Sequence, residues 1–239
     1  MSGPRPRQVV LVTAIVLAAT PMALILVALA TPLLGARVVG AGYYSVPSGS
    51  MRPAILPGDR VMTARMSGEP ARGQVVVYRH PGSGHTHIAR VIGLPGERVA
   101  VENGVPSVDG APAEHRPAPD FVEPFVFADR ILPMCQGQPR AGDPCVKAAL
   151  VEAWPDAAPF TVLDVGKTRG DILPPTEVPA AHVFLLGDNR DNALDSRFPL
   201  DLGGLGFVPV ANVFGRVTRV HYSLGPGGPR TERTWLAVE

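Results

Sequence analysis

Residues 46–53 read VPSGSMRP, so that Ser48 and Ser50 stand on either side of a glycine and between two prolines. The glycine permits a close approach of the backbone, and the prolines stiffen the turn. Such a loop can present one serine as a nucleophile while the other donates a hydrogen bond to an oxyanion. Taken alone, the loop is equally compatible with a polar turn that follows a membrane anchor.

Three further segments carry recognisable patterns. LPGDRV at residues 56–61 is a turn that leads into a strand, and IARVIGLPGE at residues 88–97 is a strand that runs into a tight Pro-Gly turn. GDNRDNALDSR at residues 187–197 is an acidic, asparagine-rich loop whose hydrogen-bonding groups suit a rigid wall of a site. A surface turn is the alternative for this loop. An EF-hand is excluded, because the required central glycine and closing glutamate are absent.

An uncharged run over residues 9–34 precedes the serine loop and follows Arg5 and Arg7. As a helix, this run is long enough to cross a hydrocarbon core of ~30 Å. Positive charge near a span favours the cytoplasmic side. We therefore predict a cytoplasmic tail over residues 1–8, a single transmembrane anchor over residues 9–35, and an extracytoplasmic remainder.

Two alternatives to a retained single anchor stay open. The sequence ALA at residues 28–30 resembles a signal-peptide cleavage site, so the segment could be removed. Pro21 could instead mark a turn between two short spans, and such a hairpin would return the rest of the chain to the cytoplasm.

The composition favours a mainly β domain after the anchor. The chain of 239 residues contains 26 glycines and 27 prolines, which are poor helix formers. The net charge of +1 gives no electrostatic case for binding nucleic acid. Short apolar runs bounded by turn residues predict strands at residues 74–78, 88–94, 182–186 and 213–220.

The middle of the predicted domain is irregular and rich in proline. We expect one domain over residues 40–239, with the proline-rich residues 102–178 inserted between two halves of its β core. Cys135 and Cys145 lie in this insertion, and no other Cys/His pair stands at metal-ligand spacing. A short-loop disulfide formed in an oxidising compartment is the favoured interpretation, and two unrelated free thiols are the alternative.

In this order, the four segments resemble the signature boxes of bacterial type I signal peptidases. The resemblance covers the anchor, residues 44–97 and residues 182–222. It implies an antiparallel β catalytic domain with a smaller inserted subdomain, anchored by an N-terminal transmembrane helix in the inner membrane. It further implies cleavage of signal peptides from exported preproteins at the outer face of the lipid bilayer, with no metal and no organic cofactor.

The resemblance also implies roles for individual residues. Ser50 would be the nucleophile, while Ser48 and the backbone N–H of Ser50 would bind the oxyanion. Asp195 would pair with Arg90 and Arg197 to brace the site.

The sequence departs from the family at the general base. The family's lysine stands directly before the arginine of the strand that enters the Gly-Leu-Pro-Gly turn, and this chain has Ala89 there. The serine that holds this lysine in the family corresponds to Ala193. Lys147 and Lys167, the only lysines of the chain, lie in the predicted insertion and cannot easily replace the missing base.

One histidine is a candidate replacement. His87 lies two residues before Ala89, so both side chains point to the same face of a strand. Its Cα would lie ~7 Å further back along the strand, so a direct bond to Ser50 requires the backbone to shift. The alternative is a surface histidine beside His80 and His85, which are still less suited to the role.

Two functions therefore stay open at the level of sequence. The first is a membrane-bound serine endopeptidase, which the retained Ser48, Ser50 and Asp195 favour. The second is a catalytically impaired homologue that binds signal-peptide-like segments or a partner protein, which Ala89 and Ala193 favour. The oligomeric state is not predicted.

Overall fold

The computed structural model describes residues 42–126 and 133–238. The predicted cytoplasmic tail and anchor, at residues 1–8 and 9–35, lie outside the described residues. Within the described ranges, no helix has the length and apolar character needed to cross a membrane.

The described residues form mainly strands. In chain order they are β1 (Gly42–Ser45), β2 (Asp59–Arg65), β3 (Val75–Arg79), β4 (Thr86–Gly93), β5 (Arg98–Glu102), β6 (Val105–Val108), β7 (Ala111–Pro112), β8 (Glu114–Pro124), β9 (Pro144–Trp154), β10 (Ala157–Asp164), β11 (Ile172–Glu177), β12 (His182–Leu186), β13 (Val208–Pro209), β14 (Val213–Gly225) and β15 (Gly228–Pro229). Short 3-10 helices occupy Arg169–Asp171, Arg190–Asn192, Leu200–Leu202, Val210–Asn212 and Thr231–Arg233.

These strands form three sheets. The largest has the order β1-β2-β14-β3-β4-β12-β13, with β15 paired to β14. A three-stranded sheet has the order β10-β9-β8, and a four-stranded sheet has the order β11-β5-β6-β7. Every pairing between these strands is antiparallel, which confirms the predicted mainly antiparallel β class.

The region expected as an insertion, residues 102–178, supplies the strands β6 to β11. The strands β8, β9 and β10 pair only with one another within the described part of the chain. The strand β5 ends at Glu102 and pairs with both β6 and β11, so the four-stranded sheet begins before the expected boundary. Cys135 and Cys145 form a disulfide with their Cα atoms 5.2 Å apart, which confirms the predicted pairing.

The four strands that the apolar runs predict are all present. They correspond to β3, β4, β12 and β14, and β14 continues past the predicted end, residue 220, to Gly225. The strand β4 lies between β3 and β12, and it is buried from Ala89 to Gly93 because its two faces pack into different hydrophobic clusters, with Val91 in one and Ile92 in the other. Side chains on both faces of such a central strand face protein, which explains its unbroken apolar character around one arginine.

The serine loop is anchored by the hydrophobic core beneath it. Met51 and Ile55 are buried in a cluster with the β2 and β3 valines Val61, Val75 and Val77. Burying a methionine or isoleucine side chain is worth about 1.5–3 kcal/mol each. The residue after Ser50 therefore holds the loop to the large sheet.

A buried ionic cluster joins β9 to the loop at residues 187–197. Glu152 on β9 pairs with Arg190 at 2.6 Å and accepts hydrogen bonds from the Trp154 indole and the Arg190 guanidinium at 2.9 and 2.8 Å. Its second oxygen lies 2.9 Å from His115 Nε2. Burial alone would raise the pKa of Glu152, but the Arg190 charge and these hydrogen bonds outweigh burial and lower the pKa to about 2.

This cluster predicts an acid-sensitive fold. A carboxyl whose folded pKa lies below its unfolded value stabilises the fold above the unfolded pKa, and that stability is lost as the pH falls towards the folded pKa. The window for Glu152 runs from its ordinary pKa of 4.5 down to about 2. Thermal melts of Glu152→Gln should lose part of the decline in melting temperature between pH 5 and pH 3. The control Glu69→Gln, at an exposed glutamate, should keep the decline. An unchanged decline in Glu152→Gln would contradict this account.

Candidate active site

The two serines of the loop at residues 46–53 lie side by side. Ser48 is exposed and Ser50 is half-buried, and their Oγ atoms are 3.2 Å apart. Among the described residues, Ser48 Oγ is the hydrogen-bond partner of Ser50 Oγ. The loop thus presents two hydroxyls together at the surface, as the sequence pattern suggested.

The loop is held by the backbone and side chain of one asparagine. The N–H of Asn189 donates to the Ser50 carbonyl oxygen at 2.9 Å. The Asn189 side-chain amide donates to the Gly49 carbonyl oxygen at 2.9 Å. These two bonds satisfy consecutive carbonyls of the serine loop and fix the loop against the start of the segment 187–197.

The contact between the serine loop and the segment 187–197 also explains why residue 187 is a glycine. A Cβ atom at Gly187 would lie 2.7 Å from the Ser50 carbonyl oxygen and 2.5 Å from Ala193 Cβ. Both distances are shorter than real Cβ contacts, so a larger residue at position 187 would displace the serine loop. Ala193 therefore lies at the edge of the serine loop, where the family resemblance places the partner of the lysine.

The bracing ion pairs differ from the expected arrangement. Arg90 pairs in a bidentate manner with Asp188, with both nitrogen–oxygen distances at 2.7 Å and both side chains 1% exposed. Asp195 pairs instead with Arg197, at 2.8 Å through two nitrogens. The expected cluster of Asp195 with both arginines is thus divided into two pairs. The register explains this pairing, because Arg90 is opposite Leu186 and Asp188 follows Leu186 by two residues.

Ala89 lies in an apolar environment. It is 3% exposed, it is opposite Val76 of β3, and it packs in a cluster that contains Tyr78 and Leu185. The register between β4 and β12 places Arg90 opposite Leu186. Ala89, the residue before Arg90, is therefore next to Gly187, the residue after Leu186. A lysine at position 89 would be surrounded by hydrocarbon, which disfavours the ammonium form.

Two ionisable residues near Ala89 are candidates for a replacement base. His87 is exposed and contacts His80, with ring centroids 5.1 Å apart. Although His87 is exposed, partial desolvation of its ring by neighbouring atoms is the largest cause that lowers its pKa, and the nearby His80 and His85 lower it further. No hydrogen bond joins His87 to Ser48 or Ser50 in the described part of the chain, so the structure does not bring it to the nucleophile. Burial and the Asp195 charge raise the pKa of Tyr78, so its phenol stays protonated and cannot accept a proton.

Sequence reasoning missed three contributors to this site. Asp188 and Asn189 were recognised only as part of a polar loop, because the register that brings them to Arg90 and Gly49 is not visible in the sequence. Arg52 also lies against the serine loop, through a contact between its guanidinium and Gly49. Among the described residues, no group of three or more His, Cys, Asp or Glu side chains is arranged to hold a metal ion.

The family described as signal peptidase, peptidase S26, matches residues 15–222 of this chain. The chain belongs to the signal peptidase family. The match spans the serine loop, the strand β4 and the segment 187–197, which are the three parts that meet at the site. The family inferred from the sequence motifs is therefore confirmed.

Several signal peptidases are similar to this family member. Signal peptidase I of Pseudomonas fluorescens is 28% identical over 205 residues, which cover 75% of this chain and 64% of that protein. The probable signal peptidase I-1 of Synechocystis is 28% identical over 203 residues, which cover 80% and 76%. A crystal structure of signal peptidase I from Enterococcus faecalis is 23% identical, covers 64% of this chain and 100% of that chain, and has a TM-score of 0.35. The chain spans 64% of the length of the two Pseudomonas relatives that it matches.

The Arg197–Asp195 pair predicts a stability defect. Both side chains are almost fully buried, so Asp195→Asn removes the carboxylate that compensates a buried guanidinium. Breaking such a pair costs about 3–5 kcal/mol. For a domain of this size, this corresponds to a fall in melting temperature of roughly 10 °C. Calorimetry should show this fall for Asp195→Asn and little change for Asp201→Asn, at an exposed site. A wild-type melting temperature in Asp195→Asn would argue against the pair.

Proposed function

We propose that this signal peptidase family member is a serine endopeptidase that cleaves signal peptides from exported preproteins. The observation that carries the proposal is the Ser48–Ser50 pair, with its Oγ atoms 3.2 Å apart. The pair lies on a loop whose two carbonyls are fixed by Asn189. Ser50 is the nucleophile, and Ser48 together with the Ser50 N–H stabilises the oxyanion. By family resemblance, substrates carry small residues at the first and third positions before the cut.

Attack by Ser50 also requires that its hydroxyl proton is removed. Ser50 Oγ forms a bond to the scissile carbonyl carbon, and the hydroxyl proton has to leave as that bond forms. The C–N bond then breaks once the amine is protonated, and water hydrolyses the acyl ester. Among the described residues, Ser50 Oγ contacts Ser48 Oγ, and no amine or imidazole hydrogen-bonds to Ser50 Oγ. This supports slow turnover, because removing the base can cost on the order of 10⁶ in kcat in another serine protease.

A second function is supported by the two alanines. Ala89 is buried among apolar side chains, and Ala193 fills the space beside Gly187. A site with intact walls but without a base can bind an extended peptide without cutting it. The second candidate is therefore a non-catalytic homologue that binds signal-peptide-like segments or a partner at the membrane.

The proposed location follows from the sequence before residue 42. We propose a single-pass protein of the inner membrane, with its N-terminus in the cytoplasm and its β domain outside the cytoplasm. The Cys135–Cys145 disulfide supports an oxidising compartment. A reporter that is active only after export, fused after Glu239, should be active, and cytoplasmic activity of that fusion would reject this topology.

Restoring the base should separate the two functions. Ala89→Lys combined with Ala193→Ser provides an amine with a pKa lowered by burial and a hydroxyl that orients the amine, which general-base catalysis at neutral pH needs. We expect cleavage of a fluorogenic signal-peptide substrate at least ~100-fold faster than in the natural protein, in the lower range of general-base contributions. Ser50→Ala in the same background is the control and should be inactive.

The possible outcomes have different meanings. A slow natural protein and a fast double variant would support the endopeptidase with a site that lacks only its base. A fast natural protein that loses its activity in His87→Ala would make His87 the base. If the natural protein and the double variant are both inert, the endopeptidase proposal fails and the binding function stands.

A further inference from the structure

Three charged residues from distant parts of the chain form a connected ionic chain beside the serine loop. Lys147 Nζ lies 2.8 Å from Glu123 Oε1, and Arg52 Nε lies 3.0 Å from Glu123 Oε2. Glu123 thus lies between two cations and contacts each with a different oxygen. Lys147, one of the two lysines that sequence reasoning set aside as remote, is thereby connected to the loop that carries the nucleophile.

Arg52 lies at the functional end of this chain. A Cβ atom at Gly49 would be only 1.5 Å from Arg52 Nη1, so the guanidinium lies directly against the glycine between the two serines. The backbone N–H of Arg52 also donates to the Gly49 carbonyl oxygen at 3.2 Å. The position of the Arg52 side chain and the shape of the serine loop are therefore mutually dependent. A side chain at position 49 would therefore have to displace the Arg52 guanidinium.

The other end of this series of ion pairs, Glu123 and Lys147, lies on two paired strands. Glu123 on β8 is opposite Cys145 on β9, and Lys147 is opposite Phe121 in the same ladder. The Cys135–Cys145 disulfide further restrains β9 at this point. The Lys147 side chain is 0% exposed, and its ammonium lies 6.0 Å from the Phe121 ring centre. The pairing of β8 with β9 thus places the Glu123 carboxylate between Lys147 and Arg52.

Burial distinguishes this chain from ordinary surface ion pairs. The side chains of Arg52 and Glu123 are 13% and 17% exposed, so solvent screens their interaction only weakly. A buried ammonium such as that of Lys147 is costly unless it is paired, and burial is the largest influence that lowers its pKa. By contrast, Glu114 and Arg116 on the same strand β8 form a 3.4 Å pair that is mostly exposed. Exposed pairs of that kind contribute little.

We propose that the chain Lys147–Glu123–Arg52 is a positioning device that sets the conformation of the serine loop for nucleophilic attack. Lys147 fixes the Glu123 carboxylate, Glu123 fixes the Arg52 guanidinium, and the guanidinium holds Gly49 so that Ser48 and Ser50 stay side by side. The proposal rests on the proposed peptidase function for its catalytic consequence, but the positioning itself is independent of turnover. Arg52, Glu123 and Lys147 are positioning residues and transfer no proton.

The positioning can be measured directly by hydrogen exchange in the full chain. The amides of Arg52 and Ile55 close the turns of the serine loop, through the Gly49 and Met51 carbonyl oxygens. We expect Glu123→Gln to accelerate exchange of a peptide covering residues 49–56 at least tenfold, because Arg52 loses its ion pair with Glu123. Glu114→Gln makes the same chemical change on the same strand and should leave this exchange unchanged.

A second variant distinguishes loss of the Arg52–Glu123 ion pair from misfolding of the Glu123→Gln variant. Arg52→Gln leaves the Lys147–Glu123 pair intact and should accelerate exchange in the same peptide to a similar extent, while Arg52→Lys, which keeps the charge, should recover part of the protection. If exchange over residues 49–56 is unchanged in both Glu123→Gln and Arg52→Gln, the positioning proposal is overturned.

Peptidase assays on the same variants keep the two proposals distinguishable. In the Ala89→Lys/Ala193→Ser background, Glu123→Gln should lower kcat about tenfold with KM nearly unchanged. A lower kcat together with faster exchange supports positioning for catalysis, and an unchanged kcat overturns that role. Absence of any peptidase activity, with faster exchange still present, rejects the proposed function while it supports the positioning of the loop.

Discussion

The arrangement of the site depends on the hydrogen bond from the Asn189 N–H to the Ser50 carbonyl oxygen, at 2.9 Å. This bond joins a loop near the beginning of the described chain to a loop that follows β12, far along the sequence. It can form only because Gly187 has no Cβ, since a Cβ there would approach the same carbonyl oxygen to 2.7 Å. Together with the bond from the Asn189 side chain to the Gly49 carbonyl oxygen, it fixes the backbone of the serine loop at Gly49 and Ser50.

The strand β4 explains how the site is held together with an alanine at position 89. Arg90 is buried and pairs with Asp188, and this pair holds β4 and the segment 187–197 together. Ala89 faces apolar residues of the large sheet, so its methyl group needs no polar partner. An alanine at position 193 removes a hydroxyl that would otherwise be oriented towards a missing amine, which avoids the cost of a half-satisfied polar group. The support of the site thus depends on Arg90 and Asp188 and not on the residues at positions 89 and 193.

Much of this arrangement could be predicted from the sequence, and some of it could not. The strands β3, β4, β12 and β14 were predictable because their apolar runs are short and bounded by turn residues. The Ser48–Ser50 pair followed from local sequence, because a glycine between two serines brings them close. The Arg90–Asp188 pairing was missed, since several acids in residues 187–197 could have reached Arg90 and only the register decides among them. The connection of Lys147 to the serine loop through Glu123 could not be predicted for the same reason, because it depends on the pairing of β8 with β9.

The central claim is that the loop around Ser50 is positioned for attack and that the missing part is the base. The most direct test is acylation of the Ser50→Cys variant by an activated ester of a signal-peptide-like peptide, followed by intact-protein mass spectrometry. A thiol ionises without help near pH ~8.5, so it needs no partner to become a nucleophile. The account predicts stoichiometric acylation that accelerates as the pH rises through this range and is much faster than in a Ser48→Cys control. Acylation of the Ser50→Cys variant that is no faster than acylation of the Ser48→Cys variant, whose thiol lies at the exposed neighbouring position, would contradict the account.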